Sequence, residues 1–378
     1  MEKKKLFVVT GELSGDKHAS LVVKNLLKNR DDIEVEAIGG ENLKSLGIKL
    51  FVDHSQAHMS AMGLTPKILF DHLTLGKRLV DYLKNVYKPD LVLLIDYGGF
   101  NLNISKFLKK AGIKVFYYIP PQIWASRKWR IKTVKNNISK VMTIFPFEKE
   151  MYEAEGIDAQ FVGHPLVSQL PQKAERDVVF EKYGLDKNKK LISIFPGSRV
   201  FELQNLMKTF LKSAELISKK RDDVQFVIAQ ADSLKDDVFK KYLGESAIRV
   251  IKNDNYSLLS VSDALMLASG TVALEAALYE TPMIISYKGP WIAYFVYRLV
   301  RCINRVCLPN IIMDKDIVPE FLQADSNPNV ISSALLKILE DADYRNSMVQ
   351  DLSKVRAVLS QHESAKEVAN ILGLALSL

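Results

Sequence analysis

The segments best suited to chemistry are short loops, each following an apolar run. Gly11-Glu12-Leu13-Ser14-Gly15-Asp16 follows residues 5–10, and Asp96-Tyr97-Gly98-Gly99-Phe100-Asn101 follows Leu91-Val92-Leu93-Leu94-Ile95. Pro196-Gly197-Ser198-Arg199 follows 191–195, and Ala268-Ser269-Gly270-Thr271 follows 264–267. Asp96, at the tip of an apolar strand with two glycines beside it, suits a general base. Gly197 and Ser198 offer backbone N–H groups to a phosphate, and Arg199 offers paired hydrogen bonds. At 268–271 a strand gives way to a helix predicted to start at Thr271, where the helix dipole favours an anion. Glu275, one turn on, can accept from sugar hydroxyls, so the combination suits a nucleoside diphosphate. Asp16 is predicted to cap the helix after its own loop. Leu308-Pro309-Asn310 adds a stiff turn whose Asn310 can meet a uracil or sugar edge.

Alternating β and helical periodicities must position these loops. Strands are predicted at 5–10, 34–38, 91–95, 113–118, 140–145, 191–195, 224–229, 248–251, 264–267 and 283–287, with amphipathic stretches such as 16–29 between them. The pattern reads as βαβ units with parallel sheets. The expected architecture is α/β, with two Rossmann-like domains facing across a cleft and ligands beyond the carboxyl ends of the strands. The proline-containing stretch 163–176 breaks both periodicities and is the linker candidate. Domains are expected at 1–165 and 166–345, and the helical segment 346–378 is a candidate to cross back onto the first.

The 378 residues are 48% hydrophobic and carry a net charge of +8. Mean hydropathy is near zero, and no apolar run approaches the ~18 residues of a membrane span. The charged start, Met1-Glu2-Lys3-Lys4-Lys5, precedes a strand and lacks a secretory h-region, so a cytoplasmic location is expected. Cys302 and Cys307 fit a reducing compartment. The six histidines form no HxxxH pair, and no P-loop or GxSxG occurs. Asp314-Lys315-Asp316 and Asp341-Ala342-Asp343 close no apolar strand and read as solvated acids, so no metal is expected. The excess positive charge points to phosphates, and no recognition motif points to nucleic acid. Two basic clusters contain no acid: Arg127, Lys128, Arg130, Lys132 and Lys135, and Lys288, Arg298, Arg301 and Arg305. Within 288–307, Trp291, Tyr294, Arg298, Arg301 and Arg305 share one stripe of a predicted helix, which suits an anionic membrane surface.

The loops also fall in a telling order. Gly11-Glu12-x-Ser14-Gly15-Asp16, Ile95-Asp96-x-x-x-Phe100-Asn101, Ile123-Trp124-Ala125, Phe145-Pro146-Phe147-Glu148-Lys149, Gly163-His164, Pro196-Gly197-Ser198-Arg199, Ala268-Ser269-Gly270-Thr271 and Leu308-Pro309-Asn310 succeed one another. From residue 6 to about 323 this succession resembles the lipid-A-disaccharide synthase family. The resemblance implies a GT-B fold and an inverting hexosyl transfer without metal or cofactor. UDP-2,3-diacylglucosamine would join 2,3-diacylglucosamine 1-phosphate in the lipid A (lipopolysaccharide) biosynthesis of Gram-negative bacteria. It makes Asp96 the catalytic base. Ser198, Arg199, Ser269, Gly270, Thr271, Glu275 and Asn310 fall on the UDP-donor side, with Glu12, Ser14, Gly15, Asp16 and Trp124 on the acceptor side. It also implies a peripheral protein on the inner face of the inner membrane, and leaves a homo-oligomer open. Gly98-Gly99 stand where the family has Pro-Asp, and Ser126 where it has a second tryptophan. Two other readings stay open: an enzyme like UDP-N-acetylglucosamine 2-epimerase, and a non-enzymatic binder of lipid A precursors.

Overall fold

The computed structural model describes residues 3–28, 30–54, 66–125, 127–290 and 305–377, without the side chains of 66–69. The chain forms two compact units, Met1–Ser168 with Leu359–Leu378, and Gln169–Val358. Each is a parallel sheet flanked by helices.

In the first unit the strands are β1 (Lys4–Val9), β2 (Ile33–Gly39), β3 (Lys49–Asp53), β4 (Leu91–Ile95), β5 (Val115–Tyr118), β6 (Lys140–Thr143) and β7 (Ala159–Phe161), ordered β3-β2-β1-β4-β5-β6-β7. All pairs are parallel. Leu91–Ile95 is buried throughout, as a strand covered on both faces must be. In the second unit, β8 (Lys190–Phe195), β9 (Val224–Gln230), β10 (Arg249–Lys252), β11 (Ala264–Ala268), β12 (Met283–Tyr287) and β13 (Glu320–Leu322) are ordered β10-β9-β8-β11-β12-β13, again parallel. Both sheets are Rossmann-like. Three strands absent from the sequence expectation, β3, β7 and β13, all lie at sheet edges. Edge strands have one unpaired side and shorter apolar runs, so their periodicity is weak.

The units join between Ser168 and Gln169, where the sequence suggests 165/166, and the chain rejoins the first unit at Leu359, later than the suggested 346. Residues just before Leu359 stay with unit 2, where Asp351 pairs with Lys315 and Lys354 at 2.7 Å each. The returning helix Ser364–Ser377 buries Val368, Ile371, Leu372 and Leu376. Ser364 Oγ lies 2.7 Å from Tyr118 Oη, and Arg30 donates to Gly373 O. Gly163 has φ +82°, and a Cβ there would come within 2.2 Å of His362 O. Only glycine lets the returning chain pass so close.

Candidate active site

Strand order decides where loops diverge. In unit 1, β1 lies between β2 and β4, so the chain switches direction across the sheet at the β1/β4 boundary. The loops leaving such neighbours open a crevice at their carboxyl ends. With Val9 registered on Leu94, Glu12 and Asp96 emerge side by side. Asp96 and Tyr97 both have φ +48°, a conformation that costs non-glycine residues about 1–3 kcal/mol each. The surroundings hold it. Tyr117 Oη–H donates to Asp96 O at 2.7 Å, Asn101 Nδ2–H donates to the same oxygen at 2.8 Å, and Asp96 N–H reaches Tyr118 O at 3.1 Å. Burial raises the Asp96 carboxyl above its ordinary range, opposed by the Tyr97 N–H. Burial also raises Glu12, and the charge of Asp96 raises it further while His54 opposes. A carboxylate whose ionisation is disfavoured by burial holds a proton more readily, which strengthens Asp96 as a base.

The remaining acceptor-side candidates are placed differently. Ser14 is exposed and Gly15 buried in the first turn of the helix Leu13–Leu27. Asp16 does not cap that helix, because the helix starts earlier, with Glu12 at the N-cap. The Asp16 carboxylate, fully buried, accepts from Gly40 N–H at 2.7 Å, Asn42 N–H at 2.9 Å and Asn42 Nδ2–H at 2.8 Å. It therefore fastens the turn after β2. Trp124 is buried too. Its indole N–H donates to Glu148 Oε1 at 2.8 Å, and its ring meets Phe147 edge-on at 5.1 Å. Phe145 stacks on Phe147 and lies 5.2 Å from the His164 ring, so three of the ordered motifs converge in one interior cluster. Burial pushes the Glu148 carboxyl up to about 7 and the His164 imidazole down to about 3. Tyr117 and Glu148 are the residues sequence reasoning missed. Glu148 lies inside the motif Phe145-Pro146-Phe147-Glu148-Lys149, whereas nothing in the sequence marks Tyr117.

In unit 2 the switch falls between β8 and β11, where Phe195 is registered on Leu267. A pocket of about 310 Å³ opens there, and Ser198, Arg199, Ser269, Gly270, Thr271 and Glu275 all line it. Gly197 has φ +115° and lies against Glu202, whose carboxylate accepts from the N–H groups of Ser198 at 2.7 Å and Arg199 at 3.2 Å. The expected phosphate cradle is thus filled by the first turn of the helix Val200–Ser218. The Ser198 hydroxyl and the largely exposed Arg199 guanidinium remain on the pocket wall. The helix after Gly270 begins at Val272, not Thr271, and runs only to Leu278. Burial raises the Glu275 carboxyl, and Tyr256 Oη lies 3.5 Å from it.

Asn310 is not in the pocket lining. Its Oδ1 accepts from Ile317 and Val318 N–H, and its Nδ2 donates to Val318 O and Glu320 Oε1, all at 2.8–3.0 Å. Both ends are consumed in holding the 305–320 loop. Trp291, Tyr294, Arg298 and Arg301 lie outside the described residues. Arg305 donates to Asp314 Oδ1 at 2.5 Å and Asp316 Oδ1 at 2.7 Å. Asp314 and Asp316, two of the four acids read as solvated, are its partners and remain largely exposed. Among the described residues no three His, Cys, Asp or Glu gather as a metal site, and no helix is long and apolar enough to cross a membrane.

This pair of parallel sheets has solved counterparts. The glycosyltransferase of kitacinnamycin matches with TM-score 0.65 at 11% identity, over 100% of both chains. UDP-GlcNAc 2-epimerase from Neisseria meningitidis, bound to UDP-GlcNAc, matches with TM-score 0.60 at 14% identity, over 99% of both. These likenesses establish the class of fold, that of GT-B glycosyltransferases. Sequence narrows it. The family model described as lipid-A-disaccharide synthetase matches residues 6–372. Lipid-A-disaccharide synthase from Syntrophus aciditrophicus is 35% identical over 374 residues, 98% of this chain and 97% of that protein. Lipid-A-disaccharide synthase 1 from Legionella pneumophila is 35% identical over 366 residues, 95% and 94% respectively. The chain belongs to the lipid-A-disaccharide synthase family, glycosyltransferases of lipid A biosynthesis.

Proposed function

We propose that the chain transfers 2,3-diacylglucosamine from its UDP donor to the primary hydroxyl of 2,3-diacylglucosamine 1-phosphate, with inversion. The family match over residues 6–372 carries this reading. Asp96 takes the hydroxyl proton, the freed oxygen attacks the donor's anomeric carbon, and the bond to UDP breaks with its electrons leaving on the diphosphate. The unit 2 pocket holds UDP. Arg199, the Ser198 hydroxyl and the backbone at 270–272 meet the diphosphate as its charge develops, and Glu275 accepts from the ribose. Burial keeps Asp96 basic, and Glu12 stands beside it as a second carboxylate where Gly99 removes the family's. Ser14 and Gly15 form the floor beside it. Asp16, Trp124 and Asn310 act as positioning residues, each through bonds inside the fold. Acylated substrates require access to a lipid surface, and the aromatic and cationic residues of segment 288–307, Arg305 apart, supply a peripheral contact to an anionic bilayer.

The test is incubation of the protein with UDP-donor and 1-phosphate acceptor, followed by mass spectrometry. Disaccharide 1-phosphate with stoichiometric UDP is expected. UDP-sugar epimerised at C2 without a new glycosidic bond would replace this reading with the epimerase-like one, and substrate retention without turnover would replace it with a binder.

A further inference from the structure

Between Asp96 and Glu148 the sequence contains no Asp or Glu. Within this stretch the loop after β5 carries Arg127 and Arg130 at the ends of a single 3₁₀ turn, closed by Arg130 N–H to Arg127 O at 3.0 Å. Arg127 enters the turn left-handed, at φ +57°, and the closed turn keeps it near enough to Arg130 for the two charges to act on each other. Among the described residues neither is paired with a carboxylate. Like charges held together without a counter-ion are unfavourable unless something anionic completes them. Burial, and then Arg127, disfavour the Arg130 cation, while Tyr117 opposes them.

The position matters as much as the charge. β5 is the neighbour of β4, with Tyr118 registered on Ile95. The loop therefore leaves the sheet one strand, about 4.8 Å, from Asp96. Tyr117, whose hydroxyl feels the Arg130 charge, is the residue that bonds Asp96 O. Four non-glycine residues with positive φ gather at this edge: Asp96, Tyr97, Ile119 and Arg127. Such conformations concentrate at working sites.

We infer that Arg127 and Arg130 form a subsite for the phosphate monoester of a sugar 1-phosphate. This rests on the proposed function, in which the acceptor carries that group. In the acceptor, the phosphate and the primary hydroxyl are borne on either side of the ring oxygen, so a base for one and cations for the other must lie within one sugar's reach. Paired guanidiniums match the dianion's oxygens bidentately.

The experiment compares binding of glucosamine 1-phosphate and of glucosamine by calorimetry, using wild type, Arg130→Lys, and the double variant Arg127→Gln with Arg130→Gln. Circular dichroism checks the fold. The phosphorylated sugar is expected to bind wild type more tightly than glucosamine, and the double variant should lose ~10–100-fold of that preference. Arg130→Lys should keep part of it. In turnover, the acceptor KM should rise while the donor KM holds. Flotation with phosphatidylglycerol vesicles should be unchanged. Equal binding of glucosamine 1-phosphate by wild type and the double variant overturns the subsite. So does equal loss for both sugars, or a fall in flotation with sugar binding intact, which would assign the arginines to lipid headgroups. If wild type forms no disaccharide, the proposed function fails, while the binding comparison still decides the subsite.

Discussion

Glu148 offers a measurable consequence of burial. Its carboxyl titrates at 4.5 in an ordinary setting and at about 7 in the fold, because burial penalises the charge more than the Trp124 indole N–H offsets it. A folded value above the unfolded one means that the fold binds the proton more tightly. Stability is then greatest below pH 4.5, declines as pH rises towards 7, and is flat beyond. The full loss is about 3 kcal/mol, of which about 2–3 kcal/mol falls between pH 5 and 8. Glu148→Gln removes the charge but keeps an oxygen for the indole, so its cost is the same at every pH. His18 and His164 tilt the curve the other way, because their depressed values, about 4 and about 3, remove stability as pH falls below 6.5. They do so equally in both proteins, and the difference between wild type and Glu148→Gln isolates the carboxyl. The assay is urea unfolding followed by Trp124 fluorescence, with Trp129 and Trp291, the other two tryptophans, replaced by phenylalanine. The Gln variant should gain on wild type by about 2–3 kcal/mol between pH 5 and 8. A difference that stays flat over this range would refute the argument, and would mean that Glu148 is hydrated or partnered in solution.

Arg199→Ala should weaken UDP binding by ~10–100-fold, the worth of one charge-assisted bond, and Glu275→Ala should weaken it less. Calorimetry showing unchanged affinity in both would remove UDP from that pocket. Asp96→Asn should cut turnover by ~10²–10⁴ with UDP affinity retained, and near-normal turnover in a folded variant would shift the base to Glu12. Tyr117→Phe should lower kcat roughly tenfold without changing the donor KM, whereas Tyr118→Phe, whose hydroxyl faces Ser364, should leave it alone. Equal effects of the two tyrosines would reduce Tyr117 to a packing residue. Arg298→Ser with Arg301→Ser should reduce flotation with anionic vesicles, each cation near a membrane surface being worth about 1 kcal/mol. Unaltered flotation would move the contact to 127–135, where Trp129 is 68% exposed among cations.

Legibility in the sequence followed burial. Strands such as Leu91–Ile95 and Ala264–Ala268 are covered on both faces, so an uninterrupted apolar run announces them. β3, β7 and β13 are short and lie at edges; β3 offers only Leu50-Phe51-Val52, and β7 and β13 offer less. Loops at the strand ends were readable because glycine, serine and acids after an apolar run mark the turn at which a buried strand ends. What their polar atoms do was not readable. Asp16 reaches across to Gly40 and Asn42, Glu202 fills the cradle that Gly197 and Ser198 offered, and Asn310 spends all its bonds on its own loop. Each of these partners depends on three-dimensional proximity that local propensity does not encode.

The returning segment inverts the order in which the molecule can be finished. Residues 359–378 complete unit 1, yet a ribosome makes them after all of unit 2. At ordinary synthesis rates, the roughly 210 residues from Ser168 to Leu378 take about 10–40 s. During that interval the faces that will receive Val368, Ile371, Leu372 and Leu376 are open, and Tyr118 lacks Ser364. The first unit to be translated is therefore the second able to close. Nascent chains caught in that window present an apolar surface to chaperones and proteases. A stop codon near position 358 would leave unit 2 complete and strike the unit encoded at the other end of the gene.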